Sequence, residues 1–145
     1  MPKGRGHLTE IFRGDWGLDD AAVDQVFQVW LAPGEVSAWH AHRRALDRLF
    51  VNHGLIRILL YDARTRSTSF RRLNELRFGT PRPALVTVPP GVWHGLQNLS
   101  SEPSSVLNLV DRAYTYDDPD HWRLPPDTKR IPFRFEDPTA RPARG

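Results

Sequence analysis

Cysteine is absent from this 145-residue chain. That excludes a disulfide scaffold, an iron–sulfur cluster, a thiolate zinc site and a cysteine nucleophile, and nothing in the composition calls for an oxidising compartment. Long apolar runs are missing too. No stretch approaches the roughly 18 apolar residues of a membrane-spanning helix, and the basic residues near the N-terminus have no apolar run behind them, as a secretory signal requires. A cytoplasmic location is the expectation. Lysine is scarce: 18 of the 20 basic residues are arginine, set against 17 acidic residues. The net charge of +3 and the pI of 9.8 come from arginines scattered among acids rather than from a basic stripe. This argues against nucleic acid or membrane as partner and for a small anionic ligand held bidentately by arginine. No internal period marks a repeat protein. No apolar stripe of helical period separates the strands, which argues against a parallel α/β sheet.

What the chain does contain is short apolar runs cut by 13 prolines and 10 glycines. Residues 26–31, 49–52, 55–61, 67–70, 73–78, 84–88 and 105–110 read as strands with turn signals between them. That spacing predicts an all-β antiparallel sandwich or barrel. Residues 19–26 are expected to form a short leading helix. The chain divides into an N-terminal arm (1–24), a barrel (25–114) and a proline-rich C-terminal arm and tail (115–145). Within the tail, Ile131, Phe133 and Phe135 alternate with polar residues or proline. They are expected to pack across another surface such as a neighbouring subunit, and the last seven residues to be disordered.

The chemistry concentrates in two segments. If residues 39–42 are extended, His40 and His42 point to one face, and Asp47 opens the next run, from which its carboxylate can return to the same cavity. After the reversal forced by Pro89, Pro90 and Gly91, His94 supplies a third imidazole. Three nitrogens and one oxygen from His40, His42, Asp47 and His94 suit a divalent iron, manganese, nickel or zinc ion. The same imidazoles suit metal-free acid–base work. Trp30, Trp39 and Trp93 either line a cavity and stack a base or sugar, or fill the core. Arg57 shares a face with Leu59, and parity alone leaves open whether it enters the barrel as a phosphate ligand or points outward. Tyr114 and Tyr116 straddle the end of the barrel. His53 reads as a turn residue, and His7 and His121 as solvent-exposed. Asp117, Asp118 and Asp120 lack the glycine and terminal glutamate of a calcium loop.

These residues carry a resemblance. Gly34, His40, His42, Asp47 and Gly54 match the spacing of the first motif of the cupin superfamily, with aspartate where glutamate is usual. Pro89, Gly91, His94 and Asn98 match the second motif, whose leading glycine falls on Pro83. More narrowly, residues 56–64, 89–95 and 114–119 resemble the small proteins related to dTDP-4-dehydrorhamnose 3,5-epimerase, a similarity that spans residues 30–124. The resemblance implies a cupin jelly-roll barrel (a double-stranded β-helix), a homodimer, and a nucleotide-linked sugar bound inside the barrel. It also implies metal-free proton transfer next to a carbonyl of a dTDP-4-keto-6-deoxy sugar or related substrate. The family's base falls on His40, its lysine on Asp47, the aspartate partner of the base on Ile58 and its tyrosine on Asn108, so this chain is an altered member. The expected catalytic set is His40, His94 and Tyr114, with Arg57, Trp39, Trp93 and Asn108 as substrate contacts. Two alternatives stand beside it: a metal-dependent oxygenase or isomerase using the His40/His42/Asp47/His94 site, and a non-catalytic sugar-binding or regulatory cupin.

Overall fold

Strand-forming alternation decides the architecture. In the run 55–62, Ile56 and Ile58 are buried on one face and Leu59 on the other, so that strand is covered on both sides. The structure, a computed structural model, describes residues 6–136. Nine strands follow in chain order: β1 (Gln25–Leu31), β2 (Val36–Ala41), β3 (Asp47–His53), β4 (Leu55–Asp62), β5 (Leu73–Gly79), β6 (Leu85–Val88), β7 (Val92–Asn98), β8 (Ser104–Val110) and β9 (Trp122–Arg123). One sheet has the order β1-β8-β3-β6 and the other β5-β4-β7-β2-β9. Every strand pairing within them is antiparallel. The two sheets form the all-β jelly roll that the sequence predicts. No helix among the described residues is long and apolar enough to cross a membrane.

Leu31, Leu49, Val51, Ile56, Ile58, Val88 and Val106 fill the space between the sheets. A second cluster lies on the other face of the β5-to-β9 sheet, where Trp39, Leu59 and Ile131 are buried beneath Phe133, Phe135 and Leu124. The segment carrying Ile131, Phe133 and Phe135 packs across another surface as expected, and that surface is the outer face of a sheet of its own chain. Trp39, with no exposed surface, offers it a ring at 5.4 Å from Phe135 and 6.4 Å from Phe133. Burying an aromatic is worth several kcal/mol, which outweighs an extended, solvated arm. The expected disorder of the last seven residues lies outside the described residues.

Two expectations change. Residues 19–24 have no regular secondary structure, and the described N-terminal arm contains only a 3₁₀ turn at Gly14–Trp16. The carbonyls of Ala21 and Ala22 accept from the buried Arg48 guanidinium, so they are diverted from any helical ladder. Residues 67–70 form turns because the Ser69 hydroxyl and the Arg64 guanidinium close the loop onto Asp62. The β3–β4 turn needs glycine: Gly54 has φ 79°, and a Cβ there would lie 2.0 Å from Ser104 Oγ.

Candidate functional site

Strand alternation aims the histidines. Trp39 is buried in the second cluster and Ala41 is buried as well, while His40 and His42, the latter just past the end of β2, face the cavity between the sheets. His40 pairs in register with His94 of β7, and an irregularity in β2 between Ser37 and His40 lets both rings turn inward, 5.9 Å apart. Asp47 enters from the start of β3 and is 1 % exposed. Its Oδ1 accepts from Asn108 Nδ2 at 2.9 Å, while Oδ2 lies 3.1 Å from His42 Nε2 and 3.6 Å from His94 Nε2.

The other side of the cluster comes from beyond the barrel. The Asp120 carboxylate accepts from the backbone N–H groups of Arg43, Arg44 and Ala45 at 2.7–2.8 Å, and its carbonyl accepts from His42 Nδ1 at 2.6 Å. This clamp brings His121 over the site. Its ring stacks on His40 at 5.0 Å and on His42 at 5.2 Å, and its Nε2 is 2.9 Å from His40 Nδ1. The expectation that His121 is solvent-exposed is thus corrected. No local signal marks it, because its position depends on a contact between residues 75 apart in the chain.

Electrostatics separates the imidazoles. Burial, reinforced by the neighbouring histidines, pushes His40 down to about 4. Burial likewise pushes His94 to about 4, with Asp47 only partly offsetting it. Burial also opposes a charge on His42, but the Asp47 carboxylate and the Asp120 carbonyl outweigh it and raise its pKa. Burial would raise Asp47, yet His42, His94 and Asn108 hold it below the ordinary carboxylate value. The site therefore offers neutral imidazoles beside a cationic or metal-ready His42–Asp47 pair.

The cluster forms one wall of a cavity of about 780 Å³, with Leu49 and Val106 on its apolar side and Arg44, Arg112 and Arg123 among its polar lining. Of the residues expected in the site, His40, His42, Asp47, His94, Asn108 and Tyr114 all line this cavity. Trp39 and Trp93 do not; they belong to the cluster on the opposite face of the sheet. Arg57 also faces away, 3.0 Å from Glu75 and 3.0 Å from Gln97 and over the Phe133 ring. Its parity with Leu59 puts it outside, since the alternate Ile56 and Ile58 fill the inner core.

The expected four-donor metal set contracts to three. Donor atoms of His42, Asp47 and His94 lie within 4.8 Å of one another, whereas both His40 nitrogens are engaged, by Ser37 and His121. Two imidazoles and a carboxylate fit a divalent transition metal. The N···O separations of 3.1 and 3.6 Å also suit ligands sharing one ion at bonds of about 2.1 Å. His42 Nδ1–H is committed to the Asp120 carbonyl. Its Nε2 lone pair therefore faces a carboxylate and calls for a proton or a cation between them.

Comparison with known proteins adds relatives of similar length. The chain is 34% identical over 124 residues to the probable low-salt glycan biosynthesis epimerase Agl13 of Haloferax volcanii, covering 85% of this chain and 80% of that protein. It is 30% identical over 131 residues to the spore coat polysaccharide biosynthesis protein SpsL of Bacillus subtilis, covering 90% and 86%. Among solved structures, a dTDP sugar isomerase from Desulfovibrio desulfuricans superposes with a TM-score of 0.84 at 27% identity, covering 93% of this chain and 85% of that one. No family model matches the chain.

Proposed function

The chain belongs to the RmlC-like dTDP-sugar epimerase superfamily of cupins, and from that membership we propose that it is a sugar-nucleotide-modifying isomerase. Its reaction moves a proton on the carbon next to a carbonyl of a dTDP-4-keto-6-deoxy sugar or a related nucleotide sugar. The carrying observation is the convergence of His40, His42, Asp47, His94 and His121 on one wall of a cavity of about 780 Å³. Imidazoles that are neutral beside a carboxylate can exchange protons with a bound substrate.

In this reading Arg44, Arg112 and Arg123 hold the diphosphate, and Tyr114, half exposed at the cavity and edge-on to Tyr116 at 5.0 Å, meets the nucleotide-sugar at the rim. His40 and His94 face the reacting carbons. The α C–H bond breaks, its electron pair forms an enolate, and a proton returns to carbon, so nothing is oxidised or reduced overall. The test is solvent deuterium wash-in to a dTDP-4-keto-6-deoxy sugar, followed by NMR. The expected result is enzyme-dependent exchange that His94→Gln slows by about 100-fold or more. No exchange with any nucleotide-linked keto-sugar overturns the reading.

The three-donor cluster favours a second, metal-dependent reading. His42, Asp47 and His94 would hold an iron, manganese, nickel or zinc ion, with Asn108 orienting Asp47 and the Asp120 carbonyl fixing His42. Bound there, such an ion would polarise the substrate carbonyl. Elemental analysis of untagged, chelator-free protein decides it. About one transition-metal ion per chain, lost in His42→Ala, supports this reading, and metal-free protein that exchanges deuterium overturns it. We further infer a homodimer acting in the cytoplasm. The absence of cysteine and the exposed apolar residues Val26 and Trp30 on edge strand β1 support these two inferences.

A further inference from the structure

The segment after β8 covers the cavity without being tied into the core. Residues 112–121 form no helix or strand and none is buried, yet Arg112, Tyr114, Asp118, Asp120 and His121 line the cavity. Both ends of the segment are firm. The Asp111 N–H donates to the Leu46 carbonyl at 3.3 Å, and the Asp111 carboxylate accepts from the Leu46 N–H at 2.7 Å. Beyond His121, β9 pairs with β2, and Trp39 and Leu124 exchange backbone hydrogen bonds at 2.8 and 3.1 Å. Between these anchors the contacts are polar and reach surface groups. The N–H groups of Ala113 and Tyr114 donate to the Asp24 and Gln25 side chains at 2.7 and 3.0 Å, and Arg44 pairs with Asp118 in solvent. Asp120 grips the turn opposite: its carboxylate accepts from the N–H groups of Arg43, Arg44 and Ala45, and its carbonyl accepts from His42 Nδ1.

We propose that residues 112–121 are a lid over the substrate cavity and that Asp120 is its latch. The lid opens to admit and release the nucleotide-sugar, and it closes when the Asp120 carboxylate returns to the three N–H groups. This rests on the proposed function only for the identity of the ligand. Hydrogen bonds at an exposed turn are exchanged for water at little cost, so a segment held chiefly by them opens far more often than the strands beneath it. The latch closes specifically because three N–H groups converge on one charged acceptor, which makes each bond stronger than a neutral one. Its position matters as well. The turn that Asp120 grips joins His42 to Asp47, and the carbonyl of the same residue holds His42. Closure therefore sets the His42–Asp47 pair and returns His121 to its stack on His40 and His42 in one step, after the ligand has entered. A closed lid keeps water from the reacting carbons, and an open one lets product leave.

Two measurements on the full chain test this. The first is amide-resolved hydrogen exchange by NMR. The amides of Arg43, Arg44, Ala45, Ala113 and Tyr114 should exchange about 100-fold or more faster than those of β4 and β7, and dTDP should slow them. Asp120→Ala should speed them further and leave β4 and β7 unchanged. Wild-type latch amides as slow as β4 and β7 overturn the lid. The second measurement uses the absence of cysteine. Arg44→Cys with Asp118→Cys places two thiols across the latch, where the wild-type side chains meet at 2.8 Å. Bridging them with a reducible bis-methanethiosulfonate should slow dTDP binding and release by about 10-fold or more relative to the reduced form of the same protein, and reduction should restore both. Capping each thiol with methyl methanethiosulfonate adds bulk without a tether and should leave the rates of the reduced form. Bridged protein that binds dTDP as fast as its reduced form overturns the proposal, and so does capped protein slowed as much as bridged. A gated dTDP site in a protein that exchanges no deuterium into any nucleotide-linked keto-sugar overturns the proton-exchange reading and leaves the lid standing.

Discussion

Two histidines buried as neutral rings make the fold sensitive to mild acid. His40 and His94 sit near 4 in the folded chain against 6.5 for a free imidazole. Between those values the unfolded chain binds protons that the folded chain does not, so stability rises with pH across this window and is lost as pH falls through it. His94, fully enclosed, contributes a slope of at most about 1.4 kcal/mol per pH unit. His42 works the other way: its raised pKa gives stability that is present below 6.5 and lost as pH rises through the folded value. Asp47, held below 3.8, adds a loss at still lower pH. Urea unfolding of chelator-treated protein should therefore show a steep decline from pH 6.5 to 4, shallower in His94→Gln; an unchanged slope in that variant would refute the assignment. His40, His42, Asp47 and His94 were legible in the sequence because strand parity and motif spacing are local. Arg57, Trp39 and Trp93 were misassigned to the cavity because β4, β2 and β7 are covered on both faces, and a strand buried on both sides does not say which side is inside. His121 was illegible because only the Asp120 clamp brings it to the site.

Among the elements, six of the seven expected strands were found because proline and glycine punctuate them, whereas residues 67–70, closed onto Asp62, and the N-terminal arm were not read correctly. A helix over residues 19–26 was expected from local pattern, but a distant arginine claims its backbone carbonyls. Arg48 on β3 has no exposed surface and binds Asp19 through two nitrogens, along with the carbonyls of Ala21, Ala22 and Leu109. The Phe12 ring lies 5.1 Å from its guanidinium. The arm is thus a lid over a buried charge, and its worth is mostly the penalty of leaving that charge unpaired. Asp19→Ala should destabilise the protein by about 3 kcal/mol, the low end for a broken buried pair because Asp19 keeps some exposure. Asp19→Ala combined with Arg48→Met should recover most of the loss, since a buried apolar side chain of similar length has no charge to satisfy. Denaturant unfolding of both variants measures this, and a double variant no more stable than the single one would count against it.

For the whole molecule, the open question of the jelly roll is its edges. The β1-to-β6 sheet ends at β1, whose Val26 and Trp30 are each 55% exposed on one face while Phe27 and Val29 on the other line the cavity. An edge strand with exposed apolar side chains invites pairing with another chain unless something covers it. A second copy would cover both edges by symmetry, with an isologous contact, and would stiffen the strand that walls the substrate cavity. Light scattering of the wild type should therefore give about twice the 16.6 kDa of the chain. Val26→Glu with Trp30→Glu places two like charges on that face and should yield a folded monomer at micromolar concentration. The same variant should lose substrate affinity more than turnover: β1 holds cavity wall but none of the histidines, so a loosened β1 weakens binding and leaves the acid–base groups on β2, β7 and the Asp120 clamp in place. A wild-type monomer would remove this role for β1, and a monomeric variant with unchanged KM would separate assembly from the site.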